Sequence, residues 1–209
     1  MLSSHQDQER GVYGMGRHKE FDQEKAVDQA LDLFWEKGYE STSIQDLCDH
    51  LGIHRGSLYD TFGDKHELFL ACLDRFSART DENYNYILKE DSDSPKEQLE
   101  RYFSRVMDVS LSNAARGRGC LMTNTTLGAV AYVPNVASRI DAHYMHTEAL
   151  LFSFLMRAQN KGLVRSKQSP RQLACFLNGV KQGVHVMART TADRGVLEDI
   201  CAVAVSTVF

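Results

Sequence analysis

Proline is scarce in this chain, with 3 among 209 residues, and glycine is modest at 14. So few helix breakers speak against a many-turned β protein and for long helices. No apolar run approaches the roughly 18 residues of a membrane span, and the polar first ten residues lack the apolar stretch of a secretory signal. No C-x-x-C pair occurs. The five cysteines (Cys48, Cys72, Cys120, Cys175, Cys201) are odd in number and scattered, which gives no zinc-finger or disulfide framework and reads as reduced thiols in a cytoplasm. A basic excess is missing as well. The net charge is −4 and the pI about 6.1, so any nucleic-acid contact must come from a local patch. P-loop, GxGxxG and Ser/Cys–His–acid patterns are absent, so no enzyme class and no cofactor is indicated.

What is present is an ordinary globular composition, 43% hydrophobic and 25% charged, in a length that suits one or two domains. Residues 1–16 are polar and Gly-containing and read as a disordered extension, within which Met15 offers an alternative start. From Phe21 a helical period begins: Val27, Ala30, Leu31 and Phe34 recur at three and four, and Lys37-Gly38 supplies the cation and glycine of a helix end. Thr42 with Gln45 forms the pattern of a capping box, and Ile44, Leu47, Cys48 and Leu51 give a short second helix its apolar face. After a turn at 53–55 a third short helix spans 56–62, with Leu58 and Phe62 on its buried side. Asp64 and Glu67 then cap a fourth helix striped by Leu68, Phe69, Cys72, Leu73 and Phe76. Further helices are predicted over 95–112, 119–130, 134–161, 170–192 and 195–208, the longest about 40 Å if unbroken. No strand is expected, so the fold class is all-α.

Two short helices joined by a glycine-containing turn, with a third helix before them, make a helix-turn-helix. A major groove about 12 Å wide admits one helix. Leu58 and Phe62 would back such a helix against the protein and leave His54, Arg55, Ser57, Tyr59, Asp60 and Thr61 outward. The stretches Phe34-Trp35-Glu36-Lys37-Gly38-Tyr39-Glu40-Ser41-Thr42-Ser43-Ile44, Leu51-Gly52-Ile53-His54-Arg55-Gly56-Ser57-Leu58-Tyr59 and Phe62-Gly63-Asp64-Lys65-His66-Glu67-Leu68-Phe69 resemble the DNA-binding domain of the TetR family of transcriptional regulators. The resemblance covers a quarter to a third of the chain. It implies backbone contacts from Thr42 and Ser43, a turn and recognition-helix head at His54, Arg55, Gly56 and Ser57, phosphate contacts from Tyr59 and Lys65, and base-facing positions at Asp60 and Thr61. Asp60 departs from the family pattern. An acid there must accept from a cytosine amine or point away.

Charge runs against a DNA surface. Between Arg17 and Lys65 six Lys/Arg (Arg17, Lys19, Lys25, Lys37, Arg55, Lys65) face eleven Asp/Glu, a net of −5. The expectation is geometric: acids on the far face, with Arg17, His18, Lys19, Arg55 and Lys65 on the DNA face.

By the same resemblance, residues 17–63 form the DNA-binding domain and 64–209 a helical domain that binds a small effector and dimerises through its last two helices. The candidate ligand-lining residues are Tyr84, Tyr102, Phe103, Met107, Met122, His143, Tyr144 and Phe152. Each alone reads as core packing, whereas together they suit an adaptable pocket. Gly179 and Gly183, four apart, allow close helix approach in a two-fold four-helix interface. Cys120 follows Arg116-Gly117-Arg118-Gly119 and starts a helix, an arrangement that could lower a thiol pKa for redox sensing. The plainer reading, a small buried residue, is preferred. His143 and His146 are three apart, but no metal site is expected. The resulting expectation is a cytoplasmic, dimeric repressor of operator DNA released by a small molecule or by cysteine modification. The alternative is an activator or architectural DNA-binding protein of the same fold without a small-molecule signal, to be distinguished by whether the middle helices enclose several hundred cubic ångströms.

Overall fold

The computed structural model describes residues 22–112, 117–191 and 193–209. Among them are nine α-helices and no strand. They are α1 (Gln23–Lys37), α2 (Ile44–Leu51), α3 (Arg55–Phe62), α4 (Lys65–Asn83), α5 (Pro95–Leu111), α6 (Leu121–Thr126), α7 (Pro134–Asn160), α8 (Pro170–Met187) and α9 (Arg194–Ser206). Short 3₁₀ turns occupy Asn85–Lys89 and Ala129–Tyr132. None of the described helices is long and apolar enough to cross a membrane. The proposed extension 1–16 lies outside the described residues.

Local signals set most helix ends. Asp22 accepts the Lys25 N–H at 3.1 Å, and α1 ends at Gly38. Gly52 takes the left-handed conformation (φ 65°) that closes α2, which glycine adopts at no steric cost. Ser169 and Gln172 form a capping box ahead of Pro170. The capping box of α2 is not the expected one. It joins Ser43 to Asp46, because the Thr42 hydroxyl turns back and donates to the Gly38 carbonyl at 2.7 Å. The expected helix 119–130 is broken: α6 stops at Thr126, and Glu40 captures the Val130 N–H at 2.8 Å, seeding a 3₁₀ turn. The expected helix 170–192 ends at Met187.

Two apolar cores result. The first joins α1–α4 with Cys120, Leu121, Met122, Val130, Val136 and Ile140. The second joins α5, the second half of α7, α8 and α9. The first core therefore spans the step from the helix-turn-helix into the larger half: α4 packs along α1 and also touches α5, α6 and α7.

Candidate nucleic-acid interface

Helix α3 is a short rod held by one deeply buried residue. Leu58 is 0% exposed, a burial that stabilises by about 1.5–3 kcal/mol. The opposite face leaves His54, Arg55, Gly56, Tyr59 and Asp60 exposed, with Ser57 and Thr61 half-buried. His54 is the N-cap of α3, so Arg55 sits at the head of the helix. Arg55 Nη2 donates to the Tyr59 hydroxyl at 3.2 Å, and its guanidinium lies 5.5 Å from the Tyr59 ring centre. This one-turn pair ties the candidate base-reading cation to the candidate phosphate contact, and the hydrogen bond raises the Arg55 pKa further. Lys65 Nζ rests 4.2 Å from the Tyr39 ring centre, a cation–π contact that fixes its half-buried stem, while partial burial lowers its pKa.

Two expectations change at the start of α2. Thr42 is 0% exposed and its hydroxyl is engaged with Gly38, so its side chain cannot reach a DNA backbone. Ser43 is exposed, but its hydroxyl hydrogen-bonds Asp46 Oδ2 at 2.5 Å as part of the cap.

Part of the acidic excess is offset by arginines from outside the window, and other acids are engaged locally. Asp28 binds Arg75 at 2.7 Å and Arg79 at 2.9 Å, which pulls its pKa down. Asp32 binds Arg118 at 3.1 Å, and Asp46 binds Lys37 at 2.7 Å, a hydrogen bond that lowers the Asp46 pKa strongly. Glu40 is held by Val130, while Asp22 and Asp64 cap helices. Asp60, on the α3 face itself, makes no ion pair among the described residues. Arg17, His18 and Lys19 lie outside them.

The candidate effector residues do not form one pocket. Tyr84, Tyr102 and Phe103 do cluster, with centroids 5.9 and 5.4 Å apart, and Met107 shares their core. Met122 is in the other core, and Tyr144 is half-buried with its hydroxyl 3.3 Å from Thr126 Oγ1. Phe152 is 40% exposed on the outer face of α7. His143 is buried 3.1 Å from Ser77 Oγ and held near pKa 3 by burial, whereas exposed His146 pairs with Asp81 at 2.9 Å. The two histidines are thus split between different partners, and no group that could hold a metal occurs among the described residues. Of the eight, only Tyr84 borders the small cavity that also meets Cys120 and His185. That cavity measures about 50 Å³, below the expected several hundred, so volume alone favours the reading without a small-molecule signal and leaves room only for an effector of a few atoms.

Cys120 is buried as the N-cap residue of α6. Its burial fits the preferred reading of a small buried residue; of the flanking arginines, Arg118 is paired with Asp32 and stacks 4.4 Å from the Trp35 ring centre, and Arg116 lies outside the described residues.

A joint between the two halves was missed in the sequence. Trp35 Nε1 of α1 donates to the Gly119 carbonyl at 3.1 Å, next to the Arg118–Asp32 pair. Lys181 and His185 were missed too, although a Lys and a His one turn apart among the apolar positions Leu177 and Val184 are a legible signal. Lys181 is fully buried without a carboxylate partner among the described residues. It donates to Thr147 Oγ1 at 3.1 Å, lies 5.7 Å from the Tyr84 ring centre, and burial lowers its pKa to about 8.

On α8 and α9 one face is left open. Leu173, Leu177, Val184 and Val208 are inside the chain's own core, while Phe176 (45% exposed), Val186 and Met187 on α8 and Val196 and Val203 (64%) on α9 point outward. Gly179 and Gly183 are exposed on α8, and a Cβ added to either would meet nothing within 4 Å.

Residues 26–72 match the family described as bacterial regulatory proteins, tetR family, and residues 95–204 match the tetracyclin repressor-like C-terminal domain. The chain is 32% identical over 196 residues to the uncharacterized HTH-type transcriptional regulator YezE of Bacillus subtilis, covering 92% of this chain and 98% of that protein. It is 32% identical over 192 residues to the HTH-type transcriptional repressor ComR of Escherichia coli, covering 92% and 90%. Among solved structures it is similar to a cysteine mutant of the TetR family transcriptional regulator CifR complexed with 26bp double-strand operator DNA (TM-score 0.81, 25% identity, 91% and 98% covered). It shares the fold of the reduced form of E. coli NemR (TM-score 0.77, 18% identity, 89% and 96% covered).

Proposed function

Because the chain belongs to the TetR family of bacterial regulatory proteins, a family of transcriptional regulators and not of enzymes, we propose that it is a cytoplasmic homodimeric repressor that holds a palindromic operator and releases it on binding a small effector. The observation that carries this reading is α3: a helix pinned from behind by Leu58 and bare in front from His54 to Thr61. Arg55, with its five donors at the helix head, is the residue suited to a guanine edge. Asp60 suits a cytosine amine, and Ser57 and Thr61 either edge. Tyr59, Lys65 and the N-terminal end of α2 at Ser43 suit phosphates, which position without specifying. Residues 17–63 are the reading half and 64–209 the sensing half.

Dimerisation is inferred from the open apolar stripe of α8 and α9. A Cβ on Gly179 or Gly183 meets nothing among the described residues, so their missing side chains leave room for a second helix. A two-fold axis there would offer two copies of α3 to half-sites about one helical turn apart, 34–36 Å. An effector that favours a misplaced pair of α3 helices by about 1–3 kcal/mol lowers operator affinity 5- to 150-fold. Cys120 borders the same internal cavity as His185, so modification of its thiol would act on the same joint. Cys120→Ser separates the two routes.

The test is selection of bound duplexes from a random pool by the full-length protein. A recovered two-fold motif that is lost with Arg55→Ala supports the reading. Enrichment of no motif, or equal retention of specific and random DNA, overturns it.

A further inference from the structure

The cavity of about 50 Å³ lies behind Trp35, the single tryptophan of the chain. Its walls come from both halves of the molecule: Trp35 of α1, Phe76 of α4, Val109 of α5, Cys120 and His185. The His185 ring is buried, with Nδ1 3.0 Å from Ser110 Oγ. The Ser110 hydroxyl gives its own proton to the Val106 carbonyl at 2.7 Å, so toward His185 it can only accept. With the Ser110 proton given to Val106, the imidazole proton sits on Nδ1 and Nε2 is an acceptor without a partner among the described residues. Burial, then the Lys181 charge, hold the ring neutral, with a pKa near 3. The one cation among the described residues lining the cavity, Arg79, is committed to Asp28 at 2.9 Å, so no anion is called for. What His185 Nε2 lacks is a donor, and the cavity that His185 lines is walled mostly by apolar groups, with Thr80 and Asn83 as further polar neighbours. A water-sized group needs about 10–15 Å³ of such space, so about 50 Å³ holds about three or four non-hydrogen atoms.

We propose that this cavity is the effector site and that it takes a small neutral alcohol, which donates its O–H to Nε2 of His185 and packs its carbon chain on Trp35, Phe76 and Val109. This rests on the effector-controlled reading above and names the chemistry of that effector. The site lies against the joint. Trp35 donates to the carbonyl of Gly119, the residue before Cys120, and a Cβ on Gly119 would lie 2.6 Å from Arg189 Cγ, so the segment has little room to move without disturbing α1 or α8. An occupant that presses on Trp35 and Cys120 is felt directly by the helix that carries the DNA-binding unit.

The test follows the indole N–H resonance of Trp35 in the ¹⁵N-labelled full-length protein during titration with 1-propanol, and with propionitrile, which has as many non-hydrogen atoms but only an acceptor. The expected result is a saturable shift with 1-propanol at about 1 mM, in the range small ligands reach, and at least tenfold weaker binding of propionitrile. Saturation should vanish in His185→Leu. Ser110→Ala, which unlocks the tautomer while sparing the fold, should weaken binding several-fold. A linear response alike for both probes, or one unchanged in both variants, would mean a water-filled void and overturn the proposal. Affinity for a selected duplex, measured separately, should fall several-fold with 1-propanol in the wild type and not in His185→Leu. Saturable binding without that fall overturns the effector assignment and leaves the DNA reading intact. Failure to bind any duplex defeats the DNA reading while the titration still decides the cavity.

Discussion

Replacing Lys181 with methionine should stabilise this protein. Lys181 is completely buried among Tyr84, Thr147 and the neutral rings of His143 and His185, and its pKa falls from 10.5 to about 8 because burial disfavours the charged form. A depression of two to three units corresponds to about 3 kcal/mol of destabilisation wherever the amine is charged in both states, which is below pH 8. Between pH 8 and 10.5 the unfolded chain binds more protons than the folded one, so stability rises with pH across that window and the penalty disappears near its top. Methionine matches the lysine stem in length and removes the charge. The Thr147 hydroxyl keeps its bond to the His143 carbonyl at 3.3 Å. After about 1 kcal/mol for the lost Lys181–Thr147 bond, a gain of about 2 kcal/mol remains at pH 7, or roughly 4–8 °C in Tm for a chain of this size. Urea unfolding of both proteins from pH 7 to 10.5, at one protomer concentration, provides the measurement. The advantage of Lys181→Met should shrink steadily above pH 8. An advantage that is constant with pH, or a variant less stable at pH 7, would refute the reasoning.

Acid should act in the same core with the same sign of pH dependence, stability again falling as pH falls, now below neutrality. His143 and His185, both held near pKa 3, contribute stability that is present above pH 6.5 and lost as pH falls toward 3, about 2 kcal/mol each by pH 5, measurable as a drop in urea midpoint that is halved in His185→Leu. Gly119→Ala puts a Cβ 2.6 Å from Arg189 Cγ and 3.2 Å from the His185 carbonyl at φ +64°, so it should cost about 1–3 kcal/mol and shift the Trp35 indole resonance; an unchanged Tm and resonance would remove Gly119 from the joint. Leu58→Ala should cost about 2–5 kcal/mol and abolish DNA binding while the dimer mass by sedimentation stays the same. Lys65→Ala should weaken binding to all duplexes alike and lower the salt slope by about one, in contrast to Arg55→Ala, which should also relax sequence preference.

The helices of the reading half were legible because their signals are local. Asp22, Gly38, Gly52 and Asp64 each act within a few residues, and the apolar spacing of Leu47, Cys48, Leu51 and Leu58 marks the buried faces. The one capping error there, Thr42 for Ser43, arose because two adjacent hydroxyls fit the pattern and only the reach of Thr42 to Gly38 separates them. The apparent −5 charge misled for a related reason: the cations that neutralise Asp28 and Asp32 are Arg75, Arg79 and Arg118, outside any local window. The eight candidate ligand residues were chosen by type, and type does not say which side of a long helix faces inward. Phe152 lies on the outer face of α7, one position from Leu151, which is buried. The Trp35–Gly119 joint, 84 residues apart, leaves no trace in periodicity at all.

Methylation interference at guanine N7 on a selected duplex most directly tests the central claim that α3 enters the major groove in two symmetric copies, since N7 is exposed there. The expected pattern is two clusters of interfering guanines related by a two-fold axis and separated by about 10 base pairs or a multiple, with one guanine per half-site becoming indifferent in Arg55→Ala. A single cluster, no interfering guanine at all, or a pattern unmoved by Arg55→Ala would contradict it.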